Sequence, residues 1–528
     1  MIYIYFFKDS KLQKILIDSQ KVTIFVSIFF VIANYAFFSR VFGFAWQEEN
    51  YVVLTTTPLV LFFLFMFIFN ILFLLTNKFL YKLILSILIF VFATSGYFMN
   101  TFGTIIDKNM IFNVVQTDPN EAFDLITFKL LMYIFCLGIF PILLLLKMKI
   151  SFTSYKNEII NKLIVAAISF IFVVFSYFLL SKQYSPFFRN HGDLRFYVNP
   201  TYPIYSFGKF VSLQIKSKQE IISIGNDAQR KSFPKKRLVV MILGETARAQ
   251  NFELNGYSKS TNPLLSHNSD IINLNDVYSC GTATAVSVPC MFSKFGRDDY
   301  GDDKQNYENL VDVLNKTGVN VVWLDNNSGG SKGVADRIKN VKYYGGDNFD
   351  EVMFEDFKKS IENIKQDTFV VLHQQGSHGP TYYKRYPEKF KRFAPTCDTP
   401  EIDKCSKEEV VNTYDNTIVY TDYFINEIIN ILSKKQLESD TSLFYFSDHG
   451  ESLGENGLYL HGLPYLVAPE SQKHVPSIFW LGDSFKKEKD ILNSKKNQHF
   501  SHDNIFHTVL GLFNVSTREY DIKLDMLK

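Results

Sequence analysis

Leu238-Val239-Val240-Met241-Ile242-Leu243-Gly244-Glu245-Thr246 is the stretch on which the reading of this chain turns. Its six apolar residues read as a buried strand, and the Gly-Glu that follows sets a carboxylate at the strand's C-terminal end. Far downstream Ser442-Leu443-Phe444-Tyr445-Phe446 repeats the pattern and delivers Ser447-Asp448-His449-Gly450. Carboxylates and an imidazole at strand ends are a common way to build a metal site in an α/β sheet.

Around these two runs lie further strand-like segments at 319–324, 369–373 and 475–481, separated by longer, charged, helix-compatible stretches such as 408–432. Such alternation predicts a mainly parallel sheet flanked by helices. The stretch from 237 to 528 is long enough to bury its own core as one domain. Internal repeats and low-complexity tails are missing from it. A net charge of +2 with no basic stripe gives no reason to expect a nucleic-acid partner.

Between the two runs stands Ser279-Cys280-Gly281-Thr282-Ala283-Thr284-Ala285-Val286-Ser287-Val288-Pro289-Cys290-Met291-Phe292-Ser293. Pairing of its cysteines would staple a short loop of small residues with hydroxyls at its tip, a mount for a nucleophile. A hydroxyl needs an activator, either a base or a metal ion that lowers its pKa.

The front of the chain has another texture. Of all residues 47% are apolar and 16% aromatic, and the excess is gathered in nearly charge-free runs at 22–39, 58–76, 83–99, 130–146 and 163–180. Each is about as long as the ~17–25 residues that cross a bilayer, which predicts five spans, with Pro141 kinking the fourth. The first lies behind Lys8, Lys11, Lys14 and Lys21 and reads as an uncleaved anchor. Those lysines, then Lys78 and Lys82, then Lys147, Lys149, Lys156 and Lys162 mark alternate connections as cytoplasmic. Everything after Ser181 is then outside, in the periplasm of a bacterium. The expected organisation is a five-span domain over 1–182, an extended aromatic linker over 183–236 and an exported domain over 237–528.

In the outer connection 101–124, Asn113, Thr117 and Glu121 recur every fourth residue and would share one face of a helix. Such a face is either solvated or able to grip a lipid headgroup. In the exported part Cys280, Cys290, Cys397 and Cys405 fall into two locally spaced pairs, which favours disulfides 280–290 and 397–405 over a thiolate metal site. All ten histidines lie at or after His191. Four of them, His373, His378, His449 and His461, sit in Gly-rich or polar contexts that look like strand ends or loops, whereas His191, His267, His474 and His499 read as surface or packing residues.

Together, Gly244-Glu245-Thr246-Ala247-Arg248, Asn255-Gly256-Tyr257, Thr261-Asn262-Pro263, the 279–293 stretch, Ser377-His378-Gly379-Pro380 and Ser447-Asp448-His449-Gly450-Glu451-Ser452-Leu453-Gly454-Glu455 resemble the lipid A phosphoethanolamine transferases, a family that includes the mobile colistin-resistance enzymes. The resemblance covers essentially the whole chain. It implies an alkaline-phosphatase/sulfatase-like fold and one tightly bound zinc held by Glu245, Thr284, Asp448 and His449. Thr284, not Thr282, takes the place of the nucleophile. His378 and His461 take places near the phosphate, where some members bind a second zinc and where the histidines otherwise move protons. Asn113, Thr117 and Glu121 fall where the family grips phosphatidylethanolamine. Ser328 and Lys332, in the 326–333 loop, resemble headgroup contacts, although this loop varies within the family.

The implied reaction carries phosphoethanolamine from phosphatidylethanolamine, through a phosphoethanolamine-threonine intermediate and with release of diacylglycerol, to lipid A or another periplasmic acceptor, in a multi-pass protein of the bacterial inner membrane. With lipid A as acceptor, masking its phosphates reduces the negative charge that cationic peptides seek, and polymyxin resistance follows. Two rivals share the residues: a phosphodiesterase or glycerophosphate-type transferase of the same fold, and a catalytically silent receptor for lipid or zinc. The Cys-x-Pro-x-Arg pattern of sulfatases is absent from the sequence, which counts against sulfate-ester hydrolysis.

Overall fold

A computed structural model describes residues 16–116, 119–216, 220–301, 306–346 and 348–528. The chain forms two compact units, one of residues 1–101 with 128–205, the other of 102–127 with 206–528.

The first unit is helical: α1 (Ser19–Ala33), α2 (Tyr35–Gln47), α3 (Tyr51–Leu72) and α4 (Lys78–Thr101) precede α5 (Lys108–Gln116), which belongs to the second unit, and α6 (Phe128–Lys147) and α7 (Tyr155–Leu179) follow. Among the described residues α3, α4, α6 and α7 are long and apolar enough to cross a membrane, and α1 with α2, bent by 57°, makes a fifth if the two count as one span. The bend falls inside the predicted 22–39 span. Asn34 causes it: its side-chain amide donates to the Phe30 carbonyl at 2.9 Å and to the Asn199 carbonyl at 2.6 Å, closing α1 one turn early. In α6 a π turn over Phe135–Ile139 comes just before Pro141. Proline offers no N–H to the preceding turn, and the wider turn absorbs the mismatch.

The region expected to be an extended linker is instead helical over Ser181–Asn190, Gly192–Tyr197 and Thr201–Lys216. Pro203 stands in the first turn of the last helix, where a missing N–H costs little. Before it, Asn199 is fixed by Ser95 Oγ donating to its Oδ1 at 2.8 Å and by its own amide donating to the Phe92 carbonyl at 2.9 Å.

The second unit is built on seven strands, β1 (Arg237–Gly244), β2 (Ile271–Leu274), β3 (Asn320–Asp325), β4 (Asn340–Tyr343), β5 (Thr368–His373), β6 (Asp440–Ser447) and β7 (Ser477–Leu481), in the order β2-β7-β6-β1-β5-β3-β4. The neighbours from β6 through β1, β5 and β3 to β4 are parallel, and β7 runs opposite to both β6 and β2. Leu238 to Leu243 are all fully buried, which is why β1 carries no polar alternation. The long helix α9 (Lys407–Lys435) opens with a capping box between Ser406 and Glu409. Its buried Tyr414 hydroxyl donates to the Thr246 carbonyl at 2.8 Å and accepts from the Arg248 amide at 2.9 Å, fastening the turn that follows β1. Disulfides join Cys280 to Cys290 and Cys397 to Cys405.

Candidate active site

Register places the central groups. Ser447 of β6 pairs with Gly244 of β1, so Glu245 and Asp448 leave two adjacent parallel strands side by side. The close approach requires glycine at 244, where a Cβ would lie 2.4 Å from the Tyr445 hydroxyl. Thr246 takes a left-handed conformation, φ 59°, that lets its amide donate to Asp448 Oδ1 at 3.1 Å while its hydroxyl donates to Glu245 Oε1 at 2.5 Å. His449 follows Asp448 directly, and its Nδ1 bonds the Gly450 carbonyl at 2.9 Å. That bond sets the tautomer and leaves Nε2 to face the site.

The fourth group arrives from α8 (Thr284–Met291), whose first residue is Thr284. Its hydroxyl oxygen lies 3.1 and 3.2 Å from the two Glu245 carboxylate oxygens and 3.3 Å from His449 Nε2. The other threonine of the loop is turned to a structural bond, Thr282 Oγ1 donating to the Leu463 carbonyl at 2.6 Å. Disulfide 280–290 spans α8, with its Cα atoms 6.1 Å apart.

One donor atom from each of Glu245, Asp448 and His449 lies within 4.8 Å of the others, and all three residues are buried. Burial opposes ionisation of Glu245, but His449 holds its carboxyl well below the usual range. Burial, and then the charge of Glu245, pushes Asp448 up to about 7. Against burial, Asp448 and Glu245 raise His449 to about 10. Among the described residues Asp448 Oδ2 is buried without a hydrogen-bond partner. A pocket with two carboxylates, an orphaned buried carboxylate oxygen and an imidazole nitrogen that seeks a proton fits a divalent cation.

His461 stands beside this cluster, its ring centroid 4.3 Å from that of His449 and 5.8 Å from that of His378. Burial and then the neighbouring His449 lower its pKa. The Ser328 amide donates to Gln375 Oε1 at 2.8 Å, at the rim of the 326–333 loop. Lys332 lines a cavity of about 560 Å³ together with Phe112 of α5 and Ala285 and Pro289 of α8. Asn113 lies on α5, its amide nitrogen 4.0 Å from where a Cβ on Gly462 would be. Thr117 and the Glu121 side chain lie outside the described residues.

Three residues around the site, Asn327, Glu451 and His502, were not singled out in the sequence. Asn327 Nδ2 donates to Glu245 Oε2 at 2.8 Å. Glu451, fully buried, has Oε2 3.2 Å from His461 Nδ1. His373, suspected from its context, is fully buried with Nδ1 3.2 Å from Asp325 Oδ2, an oxygen that also accepts from Trp323 Nε1 at 2.7 Å. His502 accepts the Cys280 amide at Nδ1, 3.0 Å away, and so fixes the entry to the loop that carries Thr284. Glu451 had a signal, lying two residues beyond His449 in the quoted Ser-Asp-His-Gly-Glu run. His502 had none.

Residues 237–515 match the Sulfatase family model, and residues 61–215 match the model described as phosphoethanolamine transferase EptA/EptB. Phosphoethanolamine transferase EptA of Escherichia coli K12 is 41% identical over 460 residues, 83% of this chain and 84% of that protein. Phosphatidylethanolamine transferase Mcr-1 of Escherichia coli is 37% identical over 518 residues, 92% of each. Among solved structures the integral membrane lipooligosaccharide phosphoethanolamine transferase A (EptA) of Neisseria meningitidis superposes with a TM-score of 0.92 at 35% identity, over 97% of this chain and 98% of that one. With such identities along nearly its full length and two matching family models, the chain belongs to the EptA family of phosphoethanolamine transferases.

Proposed function

We propose that the protein transfers phosphoethanolamine from phosphatidylethanolamine to a phosphate of lipid A on the periplasmic side of the bacterial inner membrane, with Thr284 as the nucleophile. The observation that carries this is the convergence of Thr284 Oγ1 on Glu245 and His449 at 3.1–3.3 Å, beside the orphaned Asp448 oxygen. Glu245, Asp448 and His449, with Thr284, would hold a zinc ion. When bound, that ion supplies the Lewis acidity that makes the threonine hydroxyl a nucleophile at neutral pH and offsets charge gathering on phosphorus.

The residues do the rest. Glu245 holds the hydroxyl in line and accepts its hydrogen bond. Backbone N–H groups at the start of α8 face the phosphate oxygens, where the helix terminus favours negative charge. Thr284 Oγ passes its proton to Glu245 as it bonds to phosphorus and the bond from phosphorus to the glycerol oxygen breaks; the departing alkoxide takes a proton from the imidazolium form of His461 or His378 to leave as diacylglycerol. An acceptor phosphate oxygen then attacks phosphorus, and the bond to Thr284 breaks, Thr284 Oγ taking back the proton that Glu245 held. Two in-line displacements give net retention at phosphorus.

Mass spectrometry of the zinc-loaded full chain incubated with phosphatidylethanolamine alone tests the reading. A phosphoethanolamine adduct on the peptide containing Thr284, with diacylglycerol release that Thr284→Ala abolishes, is expected. Diacylglycerol released without any adduct would overturn the two-step reading in favour of a phosphodiesterase, and release by Thr284→Ala would remove the nucleophile.

A further inference from the structure

At the end of the helical unit where α4 begins and α6 ends, a cavity of about 600 Å³ opens between the two helices. It is lined by four lysines, Lys78, Lys82, Lys147 and Lys149, together with apolar residues that include Phe79 and Leu146. The lysines are not equivalent. Lys82 is half-buried, its ammonium donating to the Leu146 carbonyl at 2.9 Å and the Met148 carbonyl at 2.7 Å, so it ties the end of α6 to α4. Lys78, Lys147 and Lys149 are exposed, and among the described residues none has a carboxylate partner.

Among the described residues, the acidic groups near this end of the unit are committed elsewhere. Asp18 caps α1 and pairs with Lys21 at 3.3 Å, while Glu158 pairs with the buried Lys162, also at 3.3 Å. Among the described residues Lys78, Lys147 and Lys149 therefore keep their positive charge at the cavity. Its apolar lining is equally telling: Phe79 is 73% and Leu146 53% exposed, at the ends of two helices apolar enough to cross a membrane. Lysines beside exposed apolar side chains at the end of a span match an anionic headgroup with its acyl chains directed along the helices.

We infer that this cavity binds the phosphate headgroup of an anionic phospholipid of the phosphatidylglycerol class, in the cytoplasmic leaflet. The lysine-rich ends are the cytoplasmic ones by the charge asymmetry of the connections. Each surface lysine contributes about fivefold to such binding, so three together supply roughly a hundredfold. A zwitterionic lipid with the same chains gains none of this.

Native mass spectrometry of the detergent-solubilised full chain, titrated with phosphatidylglycerol, with phosphatidylcholine of the same chains, or with inorganic phosphate, tests the inference. Phosphatidylglycerol adducts are expected on the unmodified protein and on the K78R/K147R/K149R variant. In K78Q/K147Q/K149Q their apparent affinity should fall roughly a hundredfold, with phosphatidylcholine and inorganic phosphate binding no better than in that variant. Unchanged phosphatidylglycerol retention in the glutamine variant, or equal retention of phosphatidylcholine, would overturn it. Tight binding of inorganic phosphate would overturn it too, by making the site one for a free anion. Should the triple glutamine variant fail to insert, K78Q, K147Q and K149Q singly carry the test, each with a loss of about fivefold.

Discussion

Among the described residues Glu451 makes no hydrogen bond to Glu245, Asp448 or the His449 ring, yet it holds a histidine that stands beside them. Its Oε2 lies 3.2 Å from His461 Nδ1, so the carboxylate keeps a proton on that nitrogen and directs Nε2 toward the reacting groups. Glu451→Gln keeps the volume and removes the charge that fixes the tautomer. Turnover is expected to fall roughly tenfold to a hundredfold with metal content unchanged, measured by diacylglycerol release alongside elemental analysis. An unaltered rate would show that His461 needs no such orientation. At this scale the sequence was legible where polar residues close a buried strand, as for Glu245, Asp448 and His449, which the structure brings together. It was silent for Asn327, whose bond to Glu245 arises only because the 326–333 loop folds back over β1. An asparagine in a Gly/Ser loop reads as a turn former, and nothing local distinguishes one that reaches a carboxylate 82 positions away.

The element that matters most is α8, eight residues long with Pro289 inside it and a disulfide across it. A helix so short has little stability of its own, so the bond between Cys280 and Cys290 and the buried face of Ala285, Val288 and Met291 must keep its first residue in place. Closing a loop of this length stabilises by about 3 kcal/mol through the unfolded state. C280S/C290S is therefore expected to lower the Tm of the second unit by roughly 5–10 °C in scanning fluorimetry and to reduce turnover as well. C397S/C405S, which frees Cys397 from its place against the Thr413 hydroxyl of α9, should lower Tm without lowering turnover. Equal loss of turnover in both variants would count against a positioning role for the first disulfide. The strands were readable because apolar runs without alternation have few other uses, and 319–324 and 369–373 became β3 and β5 with little adjustment. The 183–236 region misled because its prolines suggested extended chain, whereas Pro203 occupies a helix's first turn, a position that proline favours.

For the molecule as a whole, the active centre makes stability depend jointly on metal and pH. Without a cation, Asp448 is raised to about 7 by burial and Glu245, and His449 to about 10 by its two carboxylate neighbours against burial. Both folded-state values exceed the unfolded ones, so these two groups bind more protons in the folded state between about pH 4 and 10, and their contribution to metal-free stability falls as pH rises. A bound cation needs the same groups deprotonated and reverses the dependence. The Tm difference between zinc-loaded and chelator-treated protein is thus expected to widen from pH 6 to pH 8; a constant or narrowing gap would place the metal on other groups. The overall division into an apolar front and an α/β remainder was plain from composition, but the assignment of 102–127 was not. That segment lies between two spans in sequence and joins the second unit, where α5 packs against α8 and the Phe102 carbonyl accepts the Tyr459 amide at 2.9 Å. The catalytic body is therefore stitched from two stretches made at different times. The early one must wait through α6 and α7 for partners synthesised long afterwards, so the ribosome cannot finish this unit from one end to the other. The same stitch constrains how relatives can recombine: a crossover that imports 206–528 alone sets a foreign α8 against the resident α5, and only exchange of both segments moves the catalytic body intact.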